Sequence, residues 1–418
     1  MLRQHGKLNL MMAVVLALTA GCGILDRTPP PPTPLPTPDA TTRQLSVFEA
    51  AWTAVRDQYV RPDFDGLDWE AVGDEYRAQI EAGLSDEEFV AAMEAMLAEL
   101  PGSQAAYQTR AERLEEETSD ATTYHGIGAF IAFRETPEPH IVILAVIGGS
   151  PAETAGLETH DSIYAVNGEA ITLEDEAAPA NRIRGLPDSS VTLTINTPGL
   201  GQRDVTLQRG EIRATDVLRG GLLTSLDVAY YRVPVVATAS VAQNISADLV
   251  EIAADTELNG IILDLRVARS TNTWPLEAML TLFGDGEMGE FYDRDGADPV
   301  EVAGQGVGES QSAPLVVLTG PDTEGTPEIF AAALQASGRA IVIGQDTPGS
   351  VQGFAEIALP DGSRMFLATS SYRTTTGLDL AAIGVTPDVV IDADWDSFTT
   401  TDDPVIEAAL AYILAQGG

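Results

Sequence analysis

The sequence predicts a multidomain chain, α+β in its first half and α/β in its last. Helices come first, then a strand-rich middle with short helices, then a core of alternating strands and helices. Three observations carry this. Residues 47–100 place apolar side chains at helical spacing, Asn167-Gly168 stands as a hairpin signal between apolar runs, and residues 315–354 read strand, turn, helix, strand, loop.

The first 43 residues stand apart in composition. Arg3 and Lys7 form a basic start, residues 8–20 are an apolar stretch too short to span a bilayer, and Leu18-Thr19-Ala20-Gly21-Cys22 resembles the lipobox of bacterial lipoproteins, with Thr19 where the pattern prefers leucine. Residues 1–21 read as a lipoprotein signal peptide and Cys22, the only cysteine, as the lipidated residue. Residues 22–43 read as a Pro/Thr-rich linker, whose prolines favour a semi-rigid extended stalk. This places the protein in the cell envelope, extracytoplasmic and lipid-anchored. Cleavage before Cys22 removes two cations and no acid, so the formal charge moves from -40 to about -42. Such a field repels nucleic acid and anionic membrane surfaces.

Residues 44–118 read as a helical region. Ala50, Ala51, Val55 and Tyr59 share one helical face, and Ser85-Asp86-Glu87-Glu88 is a capping box ahead of Phe89, Met93, Met96 and Leu97. Asp63, Asp65 and Asp68 lack the spacing of a calcium loop and read as a solvated turn.

Residues 119–212 hold a glycine-rich loop, His125-Gly126-Ile127-Gly128-Ala129-Phe130. A second signature runs Gly149-Ser150-Pro151-Ala152 through Gly156-Leu157 to His160-Asp161-Ser162-Ile163 and the Asn167-Gly168 turn. These motifs resemble a PDZ domain. The resemblance implies that Gly126, Ile127, Gly128 and Ala129 dock a peptide's C-terminal carboxylate while an adjacent sheet edge takes the peptide as an extra strand. His125 and His160 have no partners at metal spacing and read as loop residues. No metal and no cofactor is implied.

Residues 213–418 form the last unit. Gly260-Ile261-Ile262-Leu263-Asp264-Leu265-Arg266 is a buried-strand pattern, as is Leu315-Val316-Val317-Leu318. After the second comes the turn Thr319 to Pro327, helix formers from Glu328 to Gln335, the strand Ala340 to Gly344, and the loop Gln345 to Gln352. Residues 285–298 are rich in Asp, Glu and Gly and read as acidic turns, and residues 404–414 read as a final amphipathic helix.

Together these motifs resemble the S41 family of C-terminal processing (tail-specific) serine peptidases, in the order helices, PDZ domain, protease core, over about residues 65–392. In that family a serine in S-A-S-A-S-E-I attacks the peptide bond, a lysine in G-K-G-S-V-Q deprotonates it, and the glutamine positions the lysine. Matching Glu328-Ile329 to E-I puts the nucleophile position on Gly325. Matching Gly349-Ser350-Val351-Gln352 to G-S-V-Q retains Gln352 but leaves out the G-K, and without a gap Ser350 takes the lysine's place. The family's oxyanion loop, N-N-P-G-G after L-D-L-R, reads here Val267-Ala268-Arg269-Ser270-Thr271, with neither glycine. L-G-D-S-H reads Leu100-Pro101-Gly102-Ser103-Gln104, without the histidine.

One observation needs no alignment. The only lysine in the chain is Lys7, inside the signal segment. A serine–lysine dyad needs an amine that burial can deprotonate, which arginine cannot supply. The sequence therefore predicts a pseudoprotease that binds protein or peptide C-termini or scaffolds a partner. The alternatives are an active hydrolase with a rebuilt site, using Ser350, Thr323 or Thr326 with His125 or Glu324 as base, and a purely structural surface lipoprotein.

Overall fold

The computed structural model describes residues 39–416, apart from 103, 120–122, 177, 214–216, 272 and 382. Cys22 and the rest of the leader and linker up to residue 38 lie outside the described residues. Ala40–Gly418 is one compact unit that contains every hydrophobic core, so it carries the packing that folds it.

Three helices open the chain, Ala40–Gln58, Trp69–Glu81 and Asp86–Ala98. Asp68 accepts from Ala71 N to start the second, and Ser85 and Glu88 close the expected capping box at the third. Asp63 and Asp65 serve the turn before them: Asp63 accepts from Asp65 N and Asp65 pairs with Arg61. Among the described residues no acidic cluster is arranged to hold a metal ion. The helices bury Phe48, Trp52, Val55, Met93 and Met96 in a core shared with Met365, Leu367 and Ala368 from far down the chain. Gly73 lies against the Trp52 indole, which is fixed by its own bond to the Trp69 carbonyl at 3.0 Å and by Trp69 Nε1 bonding back to Trp52 O at 3.2 Å. Gly73→Ala therefore costs about 2 kcal/mol, because overpacking a locked indole exceeds the roughly 1 kcal/mol helix-propensity gain. Urea denaturation checks the sign.

The middle unit is a sheet ordered Ala129–Arg134, His140–Val146, Ser162–Val166, Ser190–Thr197, Gly201–Gln208, with Ala129–Arg134 at its edge. Asn167 and Gly168, both at positive φ (54° and 81°), turn Ser162–Val166 back onto Glu169–Ala170, as the Asn-Gly pair predicts.

The last unit is built on a second sheet, ordered Arg219–Leu223, Val228–Arg232, Gly260–Asp264, Leu315–Thr319, Ile341–Gly344, Val389–Val390. The first pair is antiparallel and the rest are parallel. Helices Ser240–Ala253, Leu276–Phe283 and Thr326–Ala336 cover one face, and Pro404–Gln416 covers the other. The acidic stretch 285–298 corrects the sequence reading, because it forms strands rather than turns. Gly286–Asp293 pairs with Ala297–Val302, and only residues 294–296 turn. This hairpin belongs to an antiparallel sheet with Ala106–Gln108, Gly353–Ala358 and the ten-residue strand Arg364–Arg373. Its acids point to solvent from a half-covered sheet, where charge alternates with buried residues such as Met288 and Val302.

Candidate functional site

Three loops leave the C-terminal ends of the adjacent parallel strands Gly260–Asp264, Leu315–Thr319 and Ile341–Gly344, the edge at which open parallel sheets carry their sites. The first is anchored by Arg266, which is buried and doubly bonded to both Asp264 and Asp403. Ala268 N and Arg269 N, two candidate oxyanion donors, are committed to the carbonyls of Leu265 and Val235 at 2.9 and 3.0 Å. Arg269 bonds to Asp322 at 3.1 Å, and Arg134 of the middle unit's edge strand bonds to the same carboxylate.

The second loop delivers Gly325 to the N-terminus of helix Thr326–Ala336 at φ 73°, ψ -121°. That backbone region costs an L-residue about 1–3 kcal/mol and is free to glycine. A Cβ built on Gly325 would lie 2.5 Å from Ser270 Cβ, 3.1 Å from Ser270 Oγ and 3.4 Å from the Ser350 carbonyl oxygen. Thus Ser270 occupies the space that a side chain at Gly325 would need. Where the sequence resemblance expects serine facing glycine, glycine now faces serine.

Glu328 ties the second loop to the third. Fully buried, it accepts from Gly325 N (2.7 Å), Thr347 Oγ1 (2.5 Å), Gly349 N (2.6 Å) and Ser350 N (2.8 Å). Burial pushes its carboxyl above the ordinary range, outweighing four donors of which none is charged. Ser350 thus lies close to Gly325, which its carbonyl oxygen faces. Its Oγ accepts from Gln104 Nε2 at 3.4 Å. Gln352 accepts from Gln104 N at 3.2 Å and donates to Gly102 O at 2.9 Å. Gln104 is the residue that sequence reasoning left outside the site. Its signal was its place at the end of the Leu100–Gln104 motif, where the family has histidine.

The alternative hydroxyls take part in other bonds. Thr323 is fully buried and donates to Leu265 O. Thr326 Oγ1 and Ser270 Oγ bond each other at 2.8 Å. Among the described residues, none of these three hydroxyls nor the Ser350 hydroxyl is hydrogen-bonded to an imidazole or a carboxylate. His125 lies instead in the strand Thr123–Gly126, paired with Glu211 of Gly210–Arg213.

A second feature lies in the middle unit. Gly126, Ile127, Gly128 and Ala129 rim a cavity of about 240 Å³ whose walls are Phe130 and Ile131 of the edge strand and Ala180, Ile183 and Arg184 opposite. The rim is pinned by Ala152 N donating to Ile127 O and Ile147 N to Gly128 O. Gly128, at φ 84°, has no room for a Cβ against Ser150.

Residues 227–391 match the model of peptidase family S41. The last unit of the chain is thus similar to the S41 peptidases. The two preceding units also match: residues 40–98 a tricorn protease C1 domain and residues 142–197 a PDZ domain. Similar proteins are carboxyl-terminal-processing peptidase 3, chloroplastic, of Arabidopsis thaliana (28% identical over 370 residues, 84% of this chain and 69% of that protein) and the carboxyl-terminal-processing protease of a Synechocystis species (28% over 400 residues, 91% and 88%). The fold is shared with the photosystem II D1 C-terminal processing protease, at a TM-score of 0.57 and 24% identity, covering 84% of this chain and 93% of that one. It is shared too with mature CPAF, at a TM-score of 0.54 and 11% identity, covering 90% and 99%. The helical region, the PDZ unit and the S41-like core thus follow one another in the order the motifs imply.

Proposed function

We propose that the chain is a proteolytically inactive S41 homologue that binds protein C-termini in its PDZ groove. The observation that carries the inactive half is the exchange at the nucleophile position, where Ser270 fills the space a serine at 325 would need. With no lysine after residue 7, nothing replaces the base. The binding half is supported by an apolar groove beside a sheet edge that has no partner strand among the described residues, with a glycine loop at its rim. The basic start and the segment Leu18 to Cys22 support a lipid-anchored protein of the cell envelope, presenting the groove outside the cytoplasm.

Titration with fluorescent peptides ending in apolar residues tests the binding half. Peptides with a free carboxylate bind, and amidating the C-terminus weakens binding at least tenfold, roughly one charge-assisted hydrogen bond. Ala180→Trp, which fills the groove, does the same. Equal affinity for the amidated peptide excludes carboxylate docking, and no binding of either favours the structural role.

A further inference from the structure

The core grips the PDZ unit through the segment 392–401, which runs from strand Val389–Val390 toward the last helix. Trp395 Nε1 donates to Ile143 O at 3.0 Å, and His160 Nδ1 lies 2.6 Å from Trp395 O. The His160 ring packs against Trp395 and Phe398, at 4.3 and 4.8 Å between centroids, and the Arg266 guanidinium stacks over Trp395. Next in the segment, Asp396 accepts from Ser162 Oγ and faces His140 Nε2 at 3.1 Å. The two do not meet as a directed hydrogen bond, and the contact is an ion pair only when the ring is protonated.

His140 has an unusual environment for a histidine. Its Nδ1 is 2.7 Å from the Glu138 carbonyl oxygen, which can only accept, and its Nε2 faces a carboxylate, which also accepts. A neutral imidazole has one N–H, so one ring nitrogen would turn a lone pair onto an oxygen. Only the doubly protonated ring suits both partners. The ring is 1% exposed and stacks on Tyr164, so water cannot substitute for a lost contact. We propose that protonated His140 is a latch between the PDZ unit and the S41 core, and that losing this proton frees the PDZ unit from segment 392–401.

The surrounding groups fit this reading. Burial opposes charge on His140, but Asp396 and the Glu138 carbonyl outweigh it and hold the imidazole above its usual range, against a smaller opposition from Arg134. Arg134 is itself engaged by Asp322. Tyr164, the remaining titratable neighbour, is pushed up by burial and stays neutral. Asp396 is resisted by burial but drawn below the usual carboxylate range by His140 and Ser162. A raised His140 means that its contribution is complete below the unfolded value near 6.5 and is lost as pH rises through the folded one. His160 behaves oppositely. Burial lowers it, so its share is complete above about 6.5 and is lost on the acid side. The latch does not depend on whether the groove binds peptides.

The chain from Ala40 contains no cysteine, so two spin labels can be placed cleanly at exposed apolar positions, Leu200→Cys on the PDZ unit and Val250→Cys on the core. The expected result is a His140 imidazole titration, followed by NMR, with its midpoint above 6.5. The label–label distance distribution is narrow below that midpoint and broadens above it, and His140→Gln removes the pH dependence. A midpoint at or below 6.5, a distance unchanged across the titration, or the same pH dependence in His140→Gln would overturn the latch. The NMR and distance measurements on the His140-containing chain decide the matter even if His140→Gln folds poorly.

Discussion

Restoring the nucleophile alone yields no peptidase. Gly325→Ser forces a Cβ to 2.5 Å from Ser270 Cβ and puts an L-residue at φ 73°, so the variant stays inert and loses about 2–5 kcal/mol of stability from clash and backbone strain together. Ser270→Gly alone also yields nothing, because it empties the space without supplying a hydroxyl. Ser350→Lys alone supplies an amine with nothing to deprotonate. Catalytic groups that act as a unit are strongly non-additive, so activity returns only when Ser270→Gly, Gly325→Ser and Ser350→Lys are combined. The triple variant is expected to cleave an unfolded protein at least 100-fold above the parent's background, a small part of the roughly 10⁶-fold that a complete hydrolase unit supplies. Activity in Gly325→Ser alone would show that Ser270 does not obstruct the site.

Removing Glu328 has the second large effect, and it falls on folding. Glu328→Ala strands three backbone N–H groups and the Thr347 hydroxyl in a fully buried site, and each unsatisfied donor costs about 1–3 kcal/mol. A total loss of about 4 kcal/mol or more is expected in urea denaturation. Glu328→Gln keeps one oxygen for two donors but turns an NH₂ toward the other two, for about half that loss. Because burial has already raised the Glu328 carboxyl, protonating it on acidification does not undermine the fold. The acid limb comes instead from groups such as Asp264. Burial resists its ionisation, but Arg266 draws it below the usual range, so its stabilisation is present above about 3.9 and lost as pH falls through the folded value.

Much of this was legible in the sequence where a local signal exists. Ser85 with Glu88 marks a helix start, Asn167-Gly168 a tight hairpin, and the helix formers from Glu328 to Gln335 mark the helix Thr326–Ala336. Residues 285–298 misled because their strand propensity comes from pairing with Arg364–Arg373 across a sheet, while acids on the solvent face mimic a turn. The absent lysine was visible by inspection. The packing of Ser270 against Gly325 was not, since the two are far apart in sequence and meet only through adjacent strand ends. Gln104 likewise reaches Ser350 and Gln352 from the opening helical region, and His140 finds Asp396 across a unit boundary, where no spacing rule applies.

The most direct test is turnover by the unaltered chain from Ala40, measured on an unfolded protein and on peptides with apolar C-termini beside Ser350→Ala and Thr323→Ala. No cleavage above background in any of the three is the expected result. Cleavage by the unaltered chain that disappears in either variant, with folding intact, would contradict inactivity and locate a rebuilt site around that hydroxyl.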